Sequence, residues 1–302
     1  MTYEDVPIVQ EPPPRVTPLT GNESAPDPTS LAVMFWLVRR YSSYAYIDRM
    51  YELLRRVNRV FYSWARGGAT DSASSLRATT RVFDGAVADL ESGLQRIAAG
   101  DRTAGYTSIV DALVFREALL DERNEKGLSL AMLRERLGPA VGLAAQRACD
   151  MALRVRHTLT ATWTCETILA DRPSLRTRPN HLPDPLPPVP PPPTAKVTIE
   201  SHADVPQTGI YLPTTIRNAC PNLLQAGQQA PSLTRASERV DYFGLPADGE
   251  WPEEPPWTDY IYRSDEPTTW SLAWIDERYR DGLVVPEPEL LDDDNAIPEG
   301  LR

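Results

Sequence analysis

Residues Ser129 to Leu169 read SLAMLRERLGPAVGLAAQRACDMALRVRHTLTATWTCETIL. Apolar or small side chains recur there every three or four positions: Leu130, Leu133, Leu137, Ala140, Ala144, Ala148, Met151, Val155, Thr158, Thr162, Cys165 and Leu169. A helix returns to one face after about 3.6 residues, so this spacing predicts one long amphipathic helix capped by Ser129. Pro139 lacks a backbone donor and its ring crowds the preceding turn. The period resumes in register beyond it, which predicts a kink. A stripe this long needs helical neighbours to cover it.

Those neighbours lie upstream. Pro28-Thr29-Ser30 opens a segment, Leu31 to Arg40, that is apolar nearly all round and so buried, against this chain or a neighbouring one. A second helix over 43–65 carries the stripe Ile47, Met50, Tyr51, Leu54, Val57, Phe61 and Trp64 and stops at Gly67-Gly68. A third, capped by Asp71 or Ser72, runs to Gly100 through Phe83, Leu90, Leu94 and Ile97. A fourth covers 103–124 through Ile109, Leu113 and Leu120 and ends near Gly127. Short connections favour antiparallel neighbours. The expected fold is mainly α, an antiparallel helical bundle of four to five helices over residues 29–171.

Proline and charge bound that unit. Of 30 prolines, seven fall in residues 1–28, one (Pro139) in 30–169, and the rest beyond. Residues 1–27 carry a net charge of −4, residues 28–172 +4 and residues 173–302 −11. The reading is a mildly basic core between two acidic, Pro-rich extended arms, residues 1–28 and 172–302. In the second arm, Leu182 to Thr194 (LPDPLPPVPPPPT) has polyproline II composition and reaches roughly 37 Å at about 3.1 Å per residue. Lys196–Ile199 and Gly209–Leu212 suit short strands. Trp251, Trp257, Tyr260, Tyr262, Trp270, Trp274 and Tyr279 then crowd among acids and prolines. A short helix capped by Thr268 or Thr269 would set Trp270, Ala273, Trp274 and Glu277 on one face. Large aromatics without a core of their own dock on something, here this chain's core or a neighbour's. Phe35, Trp36, Trp251, Trp257, Trp270 and Trp274 are therefore the candidate subunit contacts.

Catalytic and metal chemistry finds little purchase. Three cysteines, Cys149, Cys165 and Cys220, make no disulfide framework, which points to a reducing, intracellular (cytoplasmic) setting. No Cys-x-x-Cys, His-Glu-x-x-His, Walker or Gly-x-Ser-x-Gly pattern occurs, so no catalytic residue, cofactor or metal is assigned. The apolar run Leu31–Val38 is far short of the roughly 20 residues that cross a bilayer, so no membrane partner is expected.

The positive signal is arginine. Arg49, Arg56, Arg59 and Arg66 lie opposite the buried stripe of the second helix, with Arg55 beside them, and Arg147 and Arg154 repeat the theme on the long helix. Guanidinium groups take phosphates through paired donors, so such a row can follow a nucleic-acid backbone without reading bases. The alternative is an ordinary solvated face with intrahelical ion pairs.

A basic helical bundle with terminal arms resembles the coat or nucleocapsid proteins of filamentous viruses, and Arg81-Val82-Phe83-Asp84 is similar to a Phe-Asp motif of flexible filamentous coat proteins. The resemblance implies a non-enzymatic structural protein that self-assembles as a homo-oligomer through its arms, holds nucleic acid, and resides in a virion. The competing expectation is an intracellular adaptor presenting Pro-rich and acidic-aromatic peptides to protein partners.

Overall fold

In a computed structural model, which describes residues 14–19, 26–66, 73–120, 129–170, 182–216, 219–242, 257–291 and 296–301, the first helix is capped by Asp27. Its carboxylate accepts the N–H groups of Thr29 and Ser30 at 2.9 and 3.0 Å, and Pro28 sits at the one helical turn that needs no donor. This helix, α1 (Pro28–Tyr41), ends where the hydroxyls of Ser42 and Ser43 turn back on the carbonyls of Val38 and Arg40. Ser43 then accepts the Tyr46 N–H at 3.2 Å and starts α2 (Tyr44–Arg66), so two helices form across this point.

Next come α3 (Ala73–Ala98), α4 (Arg102–Ala112) and α5 (Val114–Leu120). The single helix expected over 103–124 divides at Leu113, whose N–H bonds to the Val110 carbonyl in a tighter turn. Asp71, Ser72 and Gly127 lie outside the described residues.

The stretch 129–169 is not one kinked helix. It forms α6 (Leu130–Leu137), α7 (Pro139–Leu159) and α8 (Cys165–Ala170). Gly138 separates the first two with φ 98° and ψ 164°, a conformation open in practice only to glycine, and Pro139 then occupies the first turn of α7, where proline starts helices well. α6 doubles back closely enough that a methyl on Gly142 would stand 2.6 Å from Cβ of Arg134. At the far end the Thr158 and Thr160 hydroxyls bond back to the carbonyls of Arg154 and Arg156, and Ala161 turns left-handed at φ 54°. Trp163 folds under this turn and donates its indole N–H to Thr158 at 2.8 Å.

The helices share one core, with α2 against α3 and α7, α3 against α4, and α1 against α7 and α8. Met34, Leu37, Ile47, Leu54, Phe61 and Phe83 are among its fully buried members.

The C-terminal residues, expected as an extended arm, instead build two antiparallel sheets. One joins β2 (Thr198–Glu200), β7 (Thr269–Ile275), β3 (Gly209–Pro213) and β4 (Asn222–Leu224) in the order β2-β7-β3-β4. The other joins β1 (Arg15–Pro18), β5 (Leu233–Tyr242) and β6 (Trp257–Glu266) in the order β1-β5-β6. β1 comes from the N-terminal arm, with Arg15 opposite Asp241 and Pro18 opposite Glu238. The helix expected at Trp270–Glu277 is strand β7. Trp270 and Leu272 follow the two-residue period of a strand and face the sheet's own core, while an irregularity beyond Leu272 turns Trp274 to the helical core. Trp270 is fully buried with its indole N–H on the Pro231 carbonyl at 2.9 Å. Leu182, Leu186 and Val189 of the proline-rich segment lie against the helical core and carry the chain across it.

Candidate interaction surface

The predicted arginine row is largely occupied from within the chain. On α2, Arg55 binds Glu52 at 3.0 Å, and Arg56 lies 3.6 Å from the same carboxylate. Arg49 bears on Asp48, whose pKa is raised by burial and by the Glu52 charge, with Arg49 and Arg55 pulling the other way. Arg66 stands 5.3 Å over the Tyr62 ring; it and Arg59 are exposed. On α7, Arg154 donates to the Tyr46 hydroxyl at 3.3 Å and lies over the Tyr41 ring.

Arg56 on α2 and Arg147 on α7 are both taken up by the same C-terminal segment of the chain. Arg56 donates to the Leu301 carbonyl and Arg147 to the Ala296 carbonyl. Ile297 and Leu301 pack on the core, and a methyl on Gly300 would touch Cβ of Ala140 at 3.0 Å. The small residues of α7 admit this chain's own C-terminal turn.

The expected subunit contacts are likewise internal. Phe35 and Trp36 are buried, Trp274 meets Phe35 edge-on at 6.0 Å, and Trp270 belongs to the core of the four-stranded sheet. Trp251 and the side chain of Trp257 lie outside the described residues.

The chain also hides an ionic cluster that its sequence did not announce. Arg278 grips Asp276 through two bonds of 2.9 Å, donates to the Arg39 carbonyl and the Ser42 hydroxyl, and lies 3.7 Å from Glu287. Arg102 adds a contact to Asp276 at 3.4 Å and a bond to the Arg278 carbonyl at 2.6 Å. Tyr279 donates to Glu287 and accepts the Tyr44 N–H at 2.8 Å, while Tyr106 donates to the Ser42 carbonyl. Burial alone would raise the Asp276 pKa; the charge and hydrogen bonds of Arg278, with the charge of Arg102, outweigh it and hold it below the usual carboxylate range. Burial pushes the Tyr106 hydroxyl up to about 12. A carboxylate locked ionised beside tyrosines locked protonated has no proton to exchange near neutrality. The cluster works as a clasp between the α1–α2 corner, the start of α4 and the 276–287 loop.

A shallow cleft where α7 meets β4 is lined by Leu159, Ala161, Leu223, Gln225, Gln228 and Pro231, with no ionisable group among its walls. Burial raises the Cys149 thiol to about 12 and also raises that of Cys220, so neither is primed as a nucleophile. Among the described residues, no three His, Cys, Asp or Glu side chains converge as a metal site, and no helix is long and apolar enough to cross a membrane.

What faces outward is the three-stranded sheet. Its register places Val16, Val240 and Asp259 in one row and Pro18, Glu238 and Ile261 in the next, so Val16 and Ile261 share a face. They are 50% and 49% exposed. Tyr262, on the other face, reaches the Thr164 hydroxyl beside α8. β6 is an edge strand, with no described strand beyond it. No family model matches this sequence, and no curated protein or solved structure matches the chain.

Proposed function

We propose that the chain is a non-enzymatic structural protein that works by self-association, its helices an antiparallel bundle that carries the β1–β5–β6 sheet as the contact surface. The supporting observation is that Val16 and Ile261 stand half-exposed on one face of a sheet built from both ends of the chain and open along β6. Lone exposed apolar residues are ordinary, but apolar residues beside a long open edge are what an association surface presents. Contact through the arms carries less support, since Trp270 and Trp274 are used inside the chain. A coat role that packages nucleic acid would fall mainly to Arg59 and Arg66, because Arg55, Arg56 and Arg147 hold internal partners.

Sedimentation equilibrium of the purified chain over a wide concentration range tests the reading. Dimers or larger species support it, and a monomer at every concentration overturns it. The ratio of absorbance at 260 and 280 nm in the same sample tests the packaging role.

One observation favours a second reading, the protein-binding adaptor. Pro185, Pro187, Pro188, Pro191 and Pro192 are exposed while Leu186 and Val189 hold the segment to the core. A proline ridge held open in this way suits an aromatic-lined groove on another protein. Titration with isolated SH3 and WW domains distinguishes it from simple bracing.

A further inference from the structure

We propose that two copies of this chain join edge to edge through β6, antiparallel about a two-fold axis at Ile261. The inference rests on the self-association reading and names its interface.

The backbone on the free edge is identified by two hydrogen bonds. Ser237 of β5 donates its hydroxyl to the Ile261 carbonyl at 3.0 Å, so the odd-numbered positions of this stretch turn their backbone groups toward β5. The Tyr260 N–H points the other way and is held by the carboxylate of its neighbour Asp259 at 2.8 Å. Thr258, Tyr260 and Tyr262 therefore present donors and acceptors outward. The bulge opposite Ile261 and Tyr262 lies on β5, where Ser237 is the extra residue; β6 itself keeps an unbroken alternation from Trp257 to Arg263, which another strand can pair with.

The side chains choose the partner. Asp259, Ile261 and Arg263 are exposed and share one face. This triplet is self-complementary when reversed. In an antiparallel pair centred on Ile261, Asp259 faces Arg263 of the partner subunit and Arg263 faces Asp259 of the partner subunit, with isoleucine against isoleucine between them. On the opposite face each Tyr260 meets the partner's Tyr262, a favourable aromatic cross-strand pair. Sliding the register by two residues in one direction sets Asp259 against Asp265; in the other it sets Asp259 against Ile261 and leaves no pair of opposite charge. Charged side chains normally blunt an edge against unrelated strands. Placed symmetrically about an apolar centre, they still do so while accepting a copy of themselves.

Pairing also relieves the local arrangement at Asp259. In the single chain its carboxylate covers the Tyr260 N–H. In the dimer that N–H bonds to the partner's Tyr262 carbonyl, and the carboxylate is released to the partner's Arg263. The result is one continuous sheet, β1–β5–β6–β6–β5–β1, closed by an isologous contact.

Analytical ultracentrifugation of the full chain and four variants tests this, with circular dichroism confirming that each variant folds. Asp259→Arg and Arg263→Asp each replace two attractions by two repulsions and should raise the dimer dissociation constant about tenfold or more. The double exchange Asp259→Arg/Arg263→Asp should restore dimerisation. Ile261 faces its own copy at a non-hydrogen-bonded position, about 4.5 Å between Cα atoms, within reach of a disulfide. Ile261→Cys should therefore form a covalent dimer under oxidised glutathione. A wild-type dimer that tolerates both single reversals, with no cross-link at residue 261, overturns the β6 interface and leaves self-association standing. A wild-type monomer overturns both.

Discussion

The side chain of Asn222 closes a two-way hydrogen-bonded pair with the backbone of Trp163, its Oδ1 accepting the Trp163 N–H at 3.0 Å and its Nδ2 donating to the Trp163 carbonyl at 3.1 Å. Asn222 is fully buried, and its amide stands in for a strand partner at the point where the helices hand over to the four-stranded sheet. Replacing it by alanine leaves a buried N–H and a buried carbonyl without partners. Asn222→Ala should cost about 2–4 kcal/mol, read from the urea midpoint with an unchanged slope. A loss below half a kilocalorie would mean that the corner repairs itself.

The clasp around Asp276 makes a sharper demand. Asp276→Ala strands Arg102 and Arg278 in the interior without their carboxylate, and should cost about 3–5 kcal/mol. The pH dependence follows from the lowered pKa of Asp276. In acid the unfolded chain takes up a proton at this group before the native state does, so its contribution is complete above the ordinary carboxylate range and is lost as pH falls through the lowered native value. Urea midpoints measured from neutral pH into acid should fall with pH for the wild type. They should fall less steeply over that window for Asp276→Asn.

Removing residues 296–302 should uncover Arg56 and Arg147, whose guanidinium groups hold the Ala296 and Leu301 carbonyls. Loss of the half-buried Ile297 and Leu301 side chains should lower stability by about 2 kcal/mol. The truncated chain should also elute from a heparin column at higher salt than the full chain. Equal elution would mean that these two arginines offer little to a polyanion even when uncovered.

Local pattern carried the helices well where a single period was present. The stripe Ile47, Met50, Leu54, Val57 and Phe61 of α2 is buried as its spacing predicts. The stretch 129–169 misled because its period runs through Ala140, Thr158 and Thr162, residues small or polar enough to sit on either side of a turn, so the breaks at Gly138 and Ala161 left no gap in the pattern. Residues 270–277 fitted a helix through Trp270, Ala273 and Trp274 and a strand through Trp270 and Leu272, and so short a segment accommodates both periods. Tertiary pairing decided it, since β7 lies between β2 and β3.

The site was less legible. Nothing near Arg102 foretells Asp276, and nothing near Arg147 foretells the carbonyl of Ala296; a charge's fate depends on what the rest of the chain brings to it. The Asp259-Ile261-Arg263 triplet was visible in the sequence, but its symmetry gains meaning only once β6 is known to be an edge.

The pairing of Arg15 with Asp241 has a consequence for how the protein is made. β1 leaves the ribosome long before its hydrogen-bonding partner β5 is translated. At roughly 5–20 residues per second, β1 waits about ten seconds or longer before β5 emerges. The three-stranded sheet therefore closes only after every helix of the core has been translated, and a second copy can read β6 only on a chain that has already grown that far.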